Sequence, residues 1–239
     1  MSSETPLDRV AVALDTSDRR QFTHWCAFFG PRVGMLKVGL EAFCHWGLPA
    51  VEEAVRHARR VFLDLKLHDI PNTVAGATRI VRDSGARYLT VHAAGGGAMV
   101  NAAVEAAGSE LVILAVTLLT HLDDASLEEL DLGGERTARA VRWAQLAARA
   151  GAGGAVCSAL EVEAVRAVSA QPFVLVTPGI RWDVTEPDDQ RRVASPEAAL
   201  RAGADFLVVG RPLTKAGDPE AALEELEHRL RQAQGPPRY

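Results

Sequence analysis

The sequence lacks the features that would place it in a specialised class. Its three cysteines, Cys26, Cys44 and Cys157, are an odd number without ligand-like spacing. That argues against a disulfide framework and against a cysteine metal site, and reduced thiols in a cytoplasmic protein are expected. No apolar run approaches the roughly 18 residues that a membrane helix needs. The start, MSSETPLDR, has neither a basic cluster nor an apolar stretch, so no secretory signal is expected. An excess of either charge is lacking as well, with 26 Lys and Arg against 31 Asp and Glu. A net charge of -5 gives no footing for a general nucleic-acid binder, although it leaves room for one local basic pocket. There is no H-E-x-x-H, G-x-G-x-x-G or Walker pattern, and Gly95–Gly97 is read as a loop entering a helix. No linker rich in Pro, Gly or Ser interrupts the chain, so one domain is expected over residues 1–239, with a frayed tail at about 233–239.

What is present is a rhythm. Short apolar runs recur at RVAVALD (9–15), GMLKVGL (34–40), RVFLDLKL (60–67), YLTVHAA (88–94), ELVILAVTLL (110–119), GAVCSA (154–159), FVLVTPG (173–179) and DFLVVG (205–210). Longer stretches with helical spacing, such as PAVEEAVRHARR and ERTARAVRWAQLAARA, separate them. Strand and helix alternating eight times predicts a parallel sheet covered on both faces. Two α/β architectures fit: a closed (β/α)8 TIM barrel and an open doubly wound sheet. The spacing and the length of 239 residues favour the single barrel, which takes about 250 residues. Gly-Ala steps in DSGARYLTV, RAGAGGAVC and RAGADFLVV fit helix C-caps followed by tight turns into the next strand.

In such a barrel, chemistry sits at the C-terminal ends of the strands. Polar residues there include Asp15, Lys37, Asp64, Lys66, His92, Thr117 to Thr120, Ser158, Thr177 and Arg211. The informative ones, Lys37, Asp64 and Lys66, lie inside apolar runs. Asp64 and Lys66 are two residues apart and so share one side of a strand, while Leu63, Leu65 and Leu67 take the other. The pair should face the barrel interior near its mouth. Burying charges costs several kcal/mol per ion unless they are paired, so the pair is either a structural bridge or a catalytic one. After the eighth strand, Gly210 allows close backbone approach to an anion, and Arg211 supplies a charged fork suited to phosphate. A plain turn with a surface arginine is the alternative. His92 is either a ligand contact or a satisfied structural histidine.

The segments ALDTSD, MLKVGLE, FLDLKLHDIPNT, VTLLTHLDD, LVTPGIR, DDQRRV and VVGRPLT occur in this order and span most of the chain. Together they closely resemble the orotidine 5'-phosphate decarboxylases, which make UMP at the end of de novo pyrimidine synthesis. The D-x-K-x-x-D element alone marks a wider barrel superfamily; DLKLHDIPNT with TPGIR, the DQ step and VGRP is far more specific. The resemblance implies decarboxylation of orotidine 5'-phosphate (OMP) without cofactor or metal, in a homodimer, with neither nucleic acid nor membrane as partner. It implies that Asp15 and Lys37 hold the ribose hydroxyls and that Lys37, Asp64 and Lys66 form a charged chain. Asp69 would complete that chain in the neighbouring subunit's site, accompanied by Ile70 and Thr73. Thr120 would lie near the pyrimidine; Arg181, Gln190, Arg211 and the Gly210 backbone would grip the phosphate; and Pro178 to Gln190 would form a closing lid. Lys66 would stabilise and protonate a carbanion at C6. His121 stands where many relatives have serine.

Two rival readings stay open on the sequence. Metal-dependent sugar-phosphate decarboxylases or aldolases of the same superfamily share the D-x-K-x-x-D strand but place a glutamate ligand where this chain has Lys37. A non-catalytic nucleotide-binding barrel would bind the ligand without turnover.

Overall fold

The structure, a computed structural model, describes residues 5–170, 172–182 and 192–233. Eight strands form one closed parallel barrel in sequence order. They are β1 (Val10–Ala13), β2 (Met35–Gly39), β3 (Val61–Leu67), β4 (Tyr88–His92), β5 (Val112–Val116), β6 (Gly154–Val156), β7 (Val174–Thr177) and β8 (Phe206–Val209). Closure is made by β1 against β8, with Val10 beside Leu207 and Val12 beside Val209. That pairing rules out the open sheet. Each strand falls inside an apolar run seen in the sequence but is shorter; in all but β3 the run's last residues lie beyond the strand, towards the mouth.

Alternation along the strands divides the apolar residues into two layers. Ala11, Ala13, Met35, Phe62, Tyr88, Leu114, Val116, Val156, Val176 and Val208 fill the barrel interior. Val10, Val12, Leu36, Val38, Leu63, Leu65, Leu89 and Val91 point outward into the larger core beneath the helices. Each fully buried Leu or Phe side chain contributes about 1.5–3 kcal/mol.

The helices begin and end where local chemistry dictates. The helix Arg19–Phe29 is capped by Asp18, whose carboxylate accepts from the N–H groups of Arg20 and Gln21. The Gly-Ala steps behave as expected: Gly85, Gly151 and Gly203 have φ of +84°, +88° and +106°, values that glycine adopts without steric cost. Gly203 is the left-handed C-cap of Pro196–Ala202. Gly95–Gly97 does lead into a helix, Gly96–Ala107. The helix Pro219–Ala233 includes the first residue of the expected tail; residues 234–239 lie outside the described residues.

One strand departs from the expected pattern. β3 and β4 keep register at Leu63 with Leu89, then resume at Leu67 with Val91. Three residues of β3 therefore oppose one residue of β4, Thr90. Within this bulge Lys66 has φ of +51°, a left-handed conformation that is uncommon for a residue with a side chain.

Candidate active site

Three neighbouring strands supply the charged residues. Lys37 on β2 pairs in register with Ala13 of β1, two residues before Asp15, and Gly39 of β2 pairs with Asp64 of β3. Inward-facing parity does the rest. Met35 and Lys37 share one side of β2, as Phe62 and Asp64 do on β3. The Lys37 ammonium sits 3.4 Å from Asp15 Oδ1 and 3.4 Å from Asp64 Oδ2. Lys66 Nζ donates to the same Asp64 Oδ2 at 2.9 Å. The result is an alternating run, Asp15, Lys37, Asp64, Lys66, across the barrel mouth.

Burial sharpens these contacts. The side chains of Lys37 and Asp64 are 9% and 12% exposed, so both charges have lost most of their hydration. Burial alone would push the Lys37 ammonium towards neutrality, but the charges of Asp64 and Asp15 outweigh it and hold its pKa above the ordinary lysine value. Burial would likewise raise the Asp64 pKa. Lys37 and Lys66, with hydrogen bonds from Lys66 and Thr90, hold it below the ordinary carboxylate value instead. The two groups stay charged because each is the other's main compensation.

The array forms one wall of a cavity of about 640 Å³, within the size range of small-molecule sites. Phe62, Val116, Val156 and Val208 give it an apolar floor, and Thr120, Pro178, Arg181, Gly210 and Arg211 line it with Asp15, Lys37, Asp64 and Lys66. Expected residues from six separate strand ends therefore meet around one space. The segment after β7 is pinned where it begins. Arg181 N–H donates to the Ala194 carbonyl at 2.9 Å, and Ala194 N–H donates to the Gly179 carbonyl at 3.1 Å.

Other expected residues do not meet there. Asp69, Ile70 and Thr73 are exposed at the start of the helix Pro71–Arg82 and are not among the residues lining this cavity. The Asp69 carboxylate accepts from the Ile70 N–H at 2.6 Å. Gln190 and most of the segment proposed as a lid lie outside the described residues. His92 does not line the cavity; its ring lies 5.4 Å from that of His68. Burial first, then the His68 and Lys66 charges, lower its pKa below the usual histidine value. His121 is exposed. Of the three thiols, Cys44 is exposed while Cys26 and Cys157 are buried, and none is paired. Burial pushes the Cys26 thiol up to about 12.

Several contributors escaped the sequence reading. Thr90 is fully buried; its hydroxyl accepts from the Lys66 N–H at 2.9 Å and donates to Asp64 Oδ1 at 2.9 Å. A Cβ at Gly39 would stand 2.4 Å from Asp15 Oδ1 and 3.0 Å from Lys37 Nζ, so only glycine leaves space for that contact. Arg192 forms an ion pair with Glu161 and donates to the Leu119 carbonyl at 2.7 Å, beside the cavity residue Thr120. Ordinary charge and threonine content hid Thr90 and Arg192; the glycine in MLKVGL was the one readable signal.

A closed (β/α)8 barrel with ionised side chains walled in at the C-terminal strand ends is the architecture of a barrel enzyme. The comparisons say which kind. The sequence model of the orotidine 5'-phosphate decarboxylase / HUMPS family matches residues 8–226, and the chain belongs to that family. It is 54% identical over 221 residues to the orotidine 5'-phosphate decarboxylase of Anaeromyxobacter sp. (strain K), covering 92% of this chain and 97% of that one. It is 51% identical over 230 residues to the enzyme of the same name from Thermobifida fusca, covering 95% and 98%. Among solved structures, the orotidine 5'-phosphate decarboxylase of Lactobacillus acidophilus superposes with a TM-score of 0.81 at 34% identity, covering 95% of this chain and 99% of that one.

Proposed function

We propose that this protein converts OMP to UMP and CO2, with Lys66 as the proton donor. The observation that carries the reading is the position of Lys37. Its ammonium lies between Asp15 and Asp64, at the place where metal-dependent members of the superfamily keep a glutamate ligand. A cation drawn to those two carboxylates would meet a fixed positive charge already there.

The chemistry follows from the array. When the bond between C6 and the carboxylate breaks, the electron pair stays on C6 and CO2 leaves. The Lys66 ammonium stabilises that developing charge, then transfers a proton to C6 and regains one from water. Preorganised charge of this kind acts without reorganisation at the moment of reaction. The apolar floor formed by Phe62, Val116 and Val156 limits the water that would screen it. Asp64 Oδ2 already receives both ammonium groups, and Oδ1 receives Thr90. This supports a role for Asp64 in holding the lysines more than in repelling the substrate carboxylate.

Asp15 and Lys37 take the ribose hydroxyls, and Thr120 and Pro178 lie along the pyrimidine side. Arg181, Gln190 and Arg211, with the Gly210 backbone, take the phosphate. Binding energy from the phosphate helps to assemble the site, so remote contacts contribute to turnover. The working unit is a homodimer in which Asp69 and Thr73 complete the partner's site. Support comes from their exposure, and from Ile70 beside them, a large aliphatic side chain left 67% exposed. Unpaired cysteines support a cytoplasmic location, and no described helix is long and apolar enough to cross a membrane.

The test is to mix purified protein with OMP and follow loss of orotate absorbance together with CO2 release, with and without EDTA. Turnover that survives EDTA is expected. No turnover by the folded protein would end the proposal, and loss in EDTA reversed by Mg2+ would move the protein to the metal-dependent branch.

A further inference from the structure

The proposed proton donor sits on an unusual piece of backbone. Lys66 is one of two described non-glycine residues with positive φ, the other being Asp131, just after the helix Asp124–Glu129. It lies in the bulge where β3 places three residues against one. Positive φ at a residue with a side chain persists only when the surroundings enforce it. Among the described contacts, the enforcing group at this bulge is the hydroxyl of Thr90, the single β4 residue facing it.

That hydroxyl makes two bonds with opposite roles. It accepts the Lys66 N–H at 2.9 Å, a donor that the broken ladder leaves without its usual carbonyl. It donates its only proton to Asp64 Oδ1 at 2.9 Å. Asp64 is thereby turned so that Oδ2 faces both Lys66, at 2.9 Å, and Lys37, at 3.4 Å. One buried hydroxyl thus connects the backbone of the lysine to the carboxylate that holds its ammonium.

We propose that Thr90 is a positioning residue. Its hydroxyl holds the left-handed Lys66 backbone and the Asp64 carboxylate in register, which fixes the Lys66 ammonium over the reacting carbon. The inference rests on the decarboxylase reading and assigns a role to a residue that is fully buried and is not among those lining the cavity. Valine matches threonine in shape but can neither accept nor donate, whereas serine keeps the hydroxyl.

The experiment compares wild type, Thr90→Val and Thr90→Ser for OMP turnover, UMP affinity by calorimetry, and crystal structure. Thr90→Val should lower kcat on the order of 10²-fold, the scale expected when a reacting group is misplaced by about 1 Å. UMP affinity should stay within about threefold of wild type, because the loss falls on the transition state. Thr90→Ser should recover most of kcat, and in the crystal Lys66 should leave positive φ only in the valine variant. A wild-type kcat in Thr90→Val, or a serine variant as poor as the valine one, would overturn the proposal. So would UMP affinity that falls in parallel with kcat, since Thr90 would then support the whole site and not the lysine. An inactive wild type would defeat the decarboxylase reading alone; the Lys66 conformation in the valine crystal would still decide the role of Thr90.

Discussion

Arg192 and Glu161 form an ion pair that is buried on both sides, with side chains 6% and 2% exposed. Each also makes further hydrogen bonds. Arg192 donates to the Leu119 carbonyl at 2.7 Å, and Glu161 Oε2 accepts from the Ser158 N–H at 3.1 Å. Arg192 lies after β7, so the pair ties that segment to the loop after β6 and, through the Leu119 carbonyl and the Thr120 carbonyl at 3.4 Å, to the loop after β5.

Breaking this pair should be costly in a pH-dependent way. Arg192→Ala strands a buried carboxylate, and such changes cost about 3–5 kcal/mol. Burial raises the Glu161 pKa above the ordinary value of 4.5, and Arg192 opposes that rise. A raised carboxylate favours the folded state fully below its unfolded pKa and loses that contribution as pH climbs through the folded one. Without Arg192 the rise should be larger. Urea unfolding should therefore show a large deficit for Arg192→Ala near neutrality that shrinks as pH falls towards 4.5. A deficit that does not change with pH would mean that Glu161 is not the stranded group. Arg192→Ala with Glu161→Gln should lose less than the two single deficits combined.

Gly39 should matter for binding more than for folding. An alanine Cβ there meets the far end of the Asp15 side chain at 2.4 Å, and that side chain, 48% exposed, can swing away. The fold survives, but the contact between Asp15 and Lys37 does not. Losing charge-assisted hydrogen bonds costs about 1.5–3 kcal/mol each, so UMP binding by Gly39→Ala should weaken roughly 10- to 150-fold. Its melting temperature should change little. Unaltered UMP affinity would remove Asp15 from the ribose site.

These residues also show how far the sequence could be read. The eight strands and the inward direction of Lys37 and Asp64 were legible because alternation is a local rule, and charges inside apolar runs break it visibly. Gly85, Gly151 and Gly203 were legible because the same step precedes three strands. The bulge was not: VFLDLKL alternates without a fault, and the extra residues show only when β3 is laid against β4. Thr90 reads as an ordinary β-branched strand residue, and nothing local says that its hydroxyl spans two neighbours. Arg192 and Glu161 are 31 positions apart, in a chain where about a quarter of residues are charged, so their pairing is a product of folding alone. Gln190, proposed as a phosphate contact, lies outside the described residues.

The charged array should ignore pH over a broad range. Asp64 has a lowered pKa, so its stabilising contribution is full above the ordinary value of 3.8 and is lost only as pH falls through the lower folded value. Lys37 has a raised pKa, so its contribution is full below 10.5 and is lost only as pH rises through the higher folded value. Neither group titrates between about pH 5 and 9. The melting temperature difference between wild type and Asp64→Asn should be flat across that window and should shrink only in stronger acid. A difference already shrinking near pH 6 would show that Asp64 does not hold its charge as the geometry requires.

The proposed sharing of sites between subunits gives the sharpest prediction. Lys66 lines the cavity of its own chain, whereas Asp69 and Thr73 stand exposed outside it at the start of Pro71–Arg82. If Asp69 serves the partner's site, Lys66→Ala and Asp69→Ala homodimers are both impaired at every site. Subunit exchange between them should then create heterodimers in which one site collects both substitutions and the other collects neither. Mixing the two variants should restore turnover, approaching one good site per heterodimer, and dilution to monomers before mixing should speed the recovery. Were Asp69 to act within its own chain, each site would keep one lesion and mixing would restore nothing. The same exchange with Lys66→Ala and Asp64→Ala serves as the control. Both of those residues belong to one chain's cavity, so no heterodimer of that pair has an intact site, and no recovery is expected.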